Sequence, residues 1–206
     1  MKTNTNFMQP EYYYHIYNRG INGETLFKQE RNFDYFLQQY AKYIEPIATT
    51  YAYVLMGNHF HFLIRIKEEK TIRQNLSAQD DKRTEWIVSN QFAKLFNSYA
   101  QAINKQEKRT GALFEEAFRR KPVGTEGYAA QVVYYIHHNP QKHKFVTDFK
   151  TYPHSSYPAF VRQGQTRIPR EEVFDWFGGR AFFLAYHQDS RGFDEAWFEA
   201  CWIEGD

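Results

Sequence analysis

The clearest pattern along the chain is an alternation of side-chain types over residues 59–66, which only Leu63 interrupts. Successive side chains of a β-strand point to opposite faces of its sheet, so this segment has an apolar face and a second face that begins with His59 and His61. The apolar face is made of Phe60, Phe62, Ile64 and Ile66. Residues 48–56 form another strand-like run, and the Gly-Asn dipeptide between the runs favours a tight turn. The pattern therefore predicts a β-hairpin with two histidines on one face, beside its turn.

The rest of the chain alternates helical and strand-like patterns. The predicted elements are a strand at 12–17, a helix at 30–44, a polar connector at 67–85, a helix at 86–105, a strand at 118–123 and a helix at 126–138. We expect Pro140 to end the last helix, because the residue before a proline disfavours the α-conformation. The order of elements lacks the long parallel repeats of α/β proteins. It predicts an α+β fold with one antiparallel sheet.

Composition limits the class of protein and the kind of site. The chain of 206 residues is 42% hydrophobic and has a single cysteine, Cys201, so it can bury a sizeable core but excludes intramolecular disulfides and multi-thiolate metal centres. A metal ion would need nitrogen and oxygen ligands. No apolar run is long enough to span a membrane and the first residues do not resemble a signal peptide, so we expect a cytoplasmic protein.

Charge is distributed unevenly between the two ends of the chain. Residues 1–170 hold 24 Lys and Arg against 15 Asp and Glu, whereas residues 171–206 hold 2 against 9. A basic body favours an anionic partner such as nucleic acid, although a mixed solvated surface is the commoner explanation of such numbers.

The helix predicted at 126–138 contains the first residues of two alternative pairs of functional side chains. Its apolar stripe leaves Tyr135 and Asn139 as neighbours on one flank, and Tyr134 and His138 as neighbours on the opposite flank. A tyrosine beside a metal-binding histidine pair suits phosphoryl transfer, in which the metal polarises the phosphate and the phenolate attacks it. Spacing alone leaves both pairs open.

Five short segments together resemble the single-tyrosine HUH transposases, and most closely the REP-associated tyrosine transposases. In family-like order they are residues 14–20 (Tyr-His-Ile-Tyr-Asn-Arg-Gly), 57–61 (Gly-Asn-His-Phe-His), 111–114 (Gly-Ala-Leu-Phe), 135–140 (Tyr-Ile-His-His-Asn-Pro) and 152–157 (Tyr-Pro-His-Ser-Ser-Tyr). The chain departs from the family after Asn-Pro, where Gln141, Lys142 and His143 replace a small or apolar residue and a basic one. This departure concerns contacts to DNA more than the chemistry.

The resemblance implies a ferredoxin-like HUH fold, in which a central antiparallel sheet is flanked by helices. Residues 1–150 would form the transposase domain, and residues 151–206 a C-terminal extension packed on or beside it. The spacing of Phe174 and Phe177 agrees with packing of that extension on the domain.

The same resemblance assigns roles to the site residues. Its Tyr-Ile-x-x-Asn pattern makes Tyr135 the nucleophile, in preference to Tyr134, and Asn139 the third metal ligand beside His59 and His61. The implied cofactor is one divalent cation, Mg²⁺ or Mn²⁺. The implied activity is cleavage and rejoining of single-stranded, hairpin-associated DNA through a 5′-phosphotyrosine intermediate, by a monomer or a homodimer.

Single-stranded DNA is usually held by aromatic stacking in a positively charged groove. Each candidate for phosphate contact is individually more often a solvated surface charge, but together the candidates favour a groove. They are Arg119, Arg120, Lys121, Lys105, Lys108 and Arg109.

Two other functions fit the same residues. A protein of this fold could bind DNA hairpins as a regulator that does not cleave them. Alternatively, it could be an RNA-processing enzyme or a metal-dependent hydrolase, in which the histidine pair activates water and Tyr135 is structural. A covalent protein–DNA adduct would distinguish the transposase from both alternatives.

Overall fold

The computed structural model describes residues 7–77, 81–115 and 118–188. Cys201 and residues 189–206 of the predicted extension lie outside these ranges. Within them the chain forms four strands and seven α-helices, which confirms the predicted α+β class. The strands are β1 (Tyr13–Arg19), β2 (Ala48–Met56), β3 (His59–Ile66) and β4 (Arg119–Val123).

These strands form one antiparallel sheet in the order β2-β3-β1-β4. The predicted hairpin is confirmed, because β2 and β3 pair on either side of the turn at residues 57–58. Tyr17 of β1 lies opposite His61 on one side and Arg119 on the other, and Arg19 lies opposite His59. Paired residues share a face of the sheet. Side chains from three strands therefore surround the two histidines.

The helices flank this sheet. Their bounds are α1 (Glu30–Tyr43), α2 (Glu69–Leu76), α3 (Thr84–Gln106), α4 (Glu126–Lys142), α5 (Tyr157–Val161), α6 (Arg170–Trp176) and α7 (Arg180–Gln188), with 3-10 turns at Ile21–Gly23 and Phe149–Thr151. None of the helices in the described ranges has the length and apolar character needed to cross a membrane.

Two predictions about helices were wrong. The connector at 67–85 contains α2, whose only buried side chain is Ile72, so the sequence has no clear apolar period there. An ion pair of 2.8 Å between Glu69 and Arg73 stabilises this helix. Pro140 does not end the last helix, which continues to Lys142. Pro140 lacks an amide donor, but the helical hydrogen bonds resume after it, because the amide of His143 donates to the carbonyl of Asn139 at 2.9 Å.

The two faces of the sheet bury different partners. The apolar face of β3 packs in one cluster with α1 and α3, through side chains such as Phe36 and Phe92. The face that carries the histidines packs in a second cluster with α4, through Val132 and Ile136. The alternating side chains of β3 therefore lie in two layers. One layer is an apolar core, and the other includes polar groups.

Residues of the extension belong to this second cluster. Phe160, Phe174 and Phe183 are buried in it together with the apolar side of α4. Glu172 of α6 accepts hydrogen bonds from the hydroxyls of Tyr13 and Tyr51, at 2.8 and 2.9 Å. The part of the extension up to residue 188 thus shares a core with the sheet and α4.

A buried chain of hydrogen bonds joins α4 to α7. Nδ1 of His187 lies 2.8 Å from the carbonyl of Phe183, which can only accept, so this nitrogen donates and Nε2 of the neutral ring accepts. That acceptor faces Nδ1 of His137 at 3.0 Å, and Nε2 of His137 faces the hydroxyl of Ser156 at 2.8 Å. Burial lowers the pKa of both imidazoles, so both rings are neutral and each Nδ1 carries the proton.

This network predicts loss of stability in acid. Burial lowers the pKa of His187 to about 3, whereas the pKa in the unfolded chain is near 6.5. The stabilisation is therefore complete above pH 6.5 and falls by about 1.4 kcal/mol per pH unit for such a group as the pH drops towards 3. Urea unfolding at several pH values should show a shallower pH dependence for His187→Gln than for the wild type. His154→Gln, at a partly exposed histidine, is the control, and an equal slope in His187→Gln would contradict this assignment.

Candidate functional site

The two histidines of β3 lie at the end of the sheet where the hairpin turns. His59 is the first residue after the turn, and His61 follows on the same face. Beside them is a cavity of about 170 Å³. Its lining includes Tyr17, Arg19, His59, His61, Arg119 and His143. The cavity thus combines imidazoles with two arginines from neighbouring strands.

One ring nitrogen of each histidine is engaged in a hydrogen bond. Nδ1 of His59 lies 2.7 Å from Oδ1 of Asn58, and since an amide oxygen can only accept, this nitrogen donates. Nδ1 of His61 lies 2.9 Å from Nε2 of His15, a buried residue of β1. In each ring Nε2 is the nitrogen that takes no part in this contact.

Burial keeps the two rings neutral. It lowers the pKa of His59 to about 3, with further contributions from His143 and Arg19, and it lowers the pKa of His61 well below 6.5. A neutral imidazole offers a lone pair on one nitrogen. In His59 that lone pair is on Nε2, because Nδ1 carries the proton.

Helix α4 covers the histidine pair with one of its faces. The ring of Tyr135 lies edge-on to His61, with centroids 5.6 Å apart, and the ring of His143 lies edge-on to His59 at 4.7 Å. Asn139 is one helical turn from each of these contacts, so it lies between them on the same side of the helix. The side-chain amide donates to the carbonyl of Tyr135 at 2.9 Å, which directs Nδ2 into the helix.

The buried side-chain atoms that lack a hydrogen-bond partner among the described residues include three potential ligand atoms of this region. They are Nε2 of His59, Nε2 of His61 and Oδ1 of Asn139. An unpaired buried polar atom costs about 1–3 kcal/mol, so such atoms are uncommon without a reason. Two imidazole nitrogens and an amide oxygen fit a divalent cation, which would satisfy all three.

Other ligand sets are not present in the described ranges. They contain no group of three His, Cys, Asp or Glu side chains that could hold a metal ion. His143 therefore does not complete a three-imidazole site, although its ring contacts His59. A metal ion at this place would need a third ligand of another type, such as the amide of Asn139.

Tyr134 lies on a different side of α4 from Tyr135. Its ring stacks on His138 with centroids 5.4 Å apart, and it contacts the rings of Phe149 and His187 edge-on. The pair formed by Tyr134 and His138 thus faces the extension rather than the histidines of β3.

The three basic residues of β4 do not form one cluster. Arg119 and Lys121 pair with Tyr17 and His15 and so lie on the histidine face. Arg120 points to the opposite face, where its guanidinium lies 5.2 Å from the ring of Phe118 and burial lowers its pKa. The prediction of a single cluster overlooked the two-residue period of the strand.

The basic residues near the end of α3 also differ from one another. Arg109 forms an ion pair of 2.9 Å with Glu24 and donates to the carbonyl of Ala112 at 3.0 Å, so it holds the loop after the helix in place. Lys105 and Lys108 are exposed. These two remain candidates for contact with an anionic partner, whereas Arg109 has a structural role.

The sequence patterns missed three residues of this site. His15 and Arg19 belong to the segment at 14–20 that carries part of the family resemblance, but their contacts depend on how β1 pairs with β3. His143 lies in the segment where the chain departs from the family, and its contact with His59 depends on the helix passing through Pro140.

Comparison with known proteins supports the fold. No family model matches the sequence, and no curated protein matches it either. The structure is similar to that of a REP-associated tyrosine transposase bound to a REP hairpin, with a TM-score of 0.59 and 15% sequence identity over 78% of this chain and 86% of the other. The chain shares its fold with this transposase. The ferredoxin-like HUH architecture expected from the sequence resemblance is thereby confirmed, and the identity is too low to transfer an activity.

Proposed function

We propose that this protein is an HUH-type DNA strand transferase, which cleaves and rejoins hairpin-associated single-stranded DNA through a 5′-phosphotyrosine. The observation that carries the proposal is the ring contact between Tyr135 and His61, together with the buried, unpaired ligand atoms of His59, His61 and Asn139, the last of which lies one helical turn from Tyr135. The hairpin-bound protein of the same fold indicates the class of substrate.

His59, His61 and Asn139 would hold the divalent cation, Mg²⁺ or Mn²⁺. When bound, the cation supplies Lewis acidity that polarises the scissile phosphate and offsets its charge. Asn58 holds the ring of His59 by accepting from Nδ1, and the main chain of Tyr135 holds the amide of Asn139. These contacts restrain the ring of His59 and the amide of Asn139 that would hold the cation.

Tyr135 would attack the phosphorus atom with its phenolic oxygen. The bond from this oxygen to phosphorus forms while the bond from phosphorus to the 3′ oxygen breaks; the phenol loses its proton and the 3′ oxygen gains one, so no proton is consumed. Attack by another 3′-hydroxyl on the phosphotyrosine reverses these changes and joins two strands. Neither ATP nor a ligase is needed, because the covalent link retains the energy of the broken bond.

The cationic face around the cavity would bind the DNA backbone. Arg119 and Lys121 project from β4 on the histidine face. Arg19 lines the cavity opposite His59, but an ion pair of 2.6 Å with Glu115, which lines the same cavity, offsets its charge. Lys142, the last residue of α4, places its ammonium 5.6 Å from the centre of the Tyr135 ring. These charges would neutralise the phosphates on either side of the scissile bond.

A second candidate is a hairpin-binding regulator without cleavage activity. The burial of Tyr135 favours it, because this side chain is only 6% exposed and a nucleophile must reach its phosphate. The two candidates share the DNA-binding surface and differ in the formation of a covalent adduct.

Tyr135→Phe should abolish the adduct without abolishing binding, because it removes the attacking oxygen and keeps the ring. The measurement is a denaturing gel of protein incubated with a labelled DNA hairpin carrying single-stranded flanks and Mn²⁺. Tyr134→Phe is the matched control, since its ring lies on the other side of α4, and it should form the adduct normally. Absence of an adduct in the wild type would favour the regulator, and an adduct in Tyr135→Phe would refute the choice of nucleophile.

Asn139→Leu should weaken Mn²⁺ binding by at least about tenfold, because it removes an oxygen ligand. Free Mn²⁺ can be followed by electron paramagnetic resonance during titration. Asn139→Asp keeps an oxygen at the same place and should bind Mn²⁺ at least as tightly as the wild type. Equal affinity in Asn139→Leu and the wild type would remove Asn139 from the ligand set.

Arg119→Gln should lower the salt dependence of hairpin binding, because one fewer counterion is released when a phosphate contact is lost. The slope of log affinity against log salt concentration should fall by about 0.7–0.9. Arg120→Gln changes the net charge by the same amount on the opposite face of the sheet and should leave the slope unchanged. Equal slopes in the two variants would show that neither face is preferred by the DNA.

A further inference from the structure

His15 of β1 contacts the candidate site from the strand next to β3, on the same face of the sheet. It is fully buried on β1, diagonal to His61 across the strand pair, and the two rings stack with centroids 5.0 Å apart. Its ring also stacks on Tyr17 at 5.1 Å and lies edge-on to Tyr135 at 6.0 Å. This one imidazole therefore touches both a candidate ligand and the candidate nucleophile.

The hydrogen bond between the two rings decides which nitrogen of His61 is available. Nε2 of His15 and Nδ1 of His61 are 2.9 Å apart, so one donates and the other accepts. If His61 donates from Nδ1, its Nε2 has a lone pair. If His15 donates from Nε2, the proton of a neutral His61 is on Nε2 and no lone pair faces a metal ion. The tautomer of His15 thus selects the tautomer of His61.

We propose that His15 is a positioning residue, which accepts a hydrogen bond from Nδ1 of His61 and so holds the Nε2 lone pair of His61 ready for a divalent cation. The inference deepens the proposed function, on which it rests. Outer partners of this kind orient a metal-binding histidine and raise the basicity of its other nitrogen. A residue that only filled space here would be cheaper as an apolar side chain, because burying an imidazole costs desolvation of its polar atoms.

The test compares two variants of His15 that differ in accepting ability. His15→Gln offers an amide oxygen near the position of Nε2, whereas His15→Phe fills the space with a ring that cannot accept. Mn²⁺ affinity, measured by electron paramagnetic resonance, should fall about 10- to 100-fold in His15→Phe and stay close to wild type in His15→Gln. His187→Gln, at a buried histidine on α7, controls for general destabilisation and should bind Mn²⁺ normally.

Two results would overturn the inference. One is wild-type Mn²⁺ affinity in His15→Phe, and the other is equal loss in both His15 variants, which would indicate packing alone. A second measurement needs no variant: long-range ¹H–¹⁵N spectra of the wild-type protein without metal should show the proton of His61 on Nδ1. A proton on Nε2 of His61 would refute the proposed direction of the bond, even if His15→Phe failed to fold.

Failure of the inference can be told apart from failure of the proposed function. A wild type that binds Mn²⁺ but forms no DNA adduct refutes strand transfer and leaves the His15 test valid. A wild type that forms the adduct, together with a His15→Phe variant that binds Mn²⁺ equally well, refutes the inference alone. A wild type that binds no Mn²⁺ overturns both.

Discussion

The arrangement of this protein depends on the pairing of β3 with a strand on each side. Its alternate side chains are divided between a phenylalanine-rich core under α1 and α3 and the histidine face under α4. A slip of one residue in either pairing would exchange the two faces, and it would put His59 and His61 into the apolar core. The register of the sheet is therefore a condition of both stability and the candidate site.

Helix α4 completes the candidate site because side chains that recur on one of its sides lie over the histidine face of the sheet. Tyr135, Asn139 and His143 recur at four-residue intervals, and the first and last of them contact His61 and His59. The opposite side of the helix is held by the extension, through the hydrogen bond between His137 and His187. The extension thus fixes the helix that carries the proposed nucleophile, although none of its described helices lines the cavity.

The buried polar groups discussed above differ in whether the protein supplies their hydrogen-bond partners. The network of His137, His187 and Ser156 is closed by partners, so it contributes to structure and needs nothing further. The site at β3 instead leaves Nε2 of His59 and the amide oxygen of Asn139 buried without partners in the described chain. Unsatisfied atoms cost stability, and a fold retains that cost where a ligand restores the missing interaction.

Local sequence determined the elements whose period is strong. Alternation over residues 59–66 defined β3 and its two faces, and the helices at 30–44 and 86–105 followed from their apolar spacing, whereas α2 was missed because it buries one side chain. Tertiary structure decided the rest. Sequence spacing could not distinguish Tyr135 from Tyr134, and it contained no indication that His15 reaches His61. Those relations depend on strand register and on how a helix lies over the sheet, which bring together residues 46 or more positions apart and so lie beyond any local pattern.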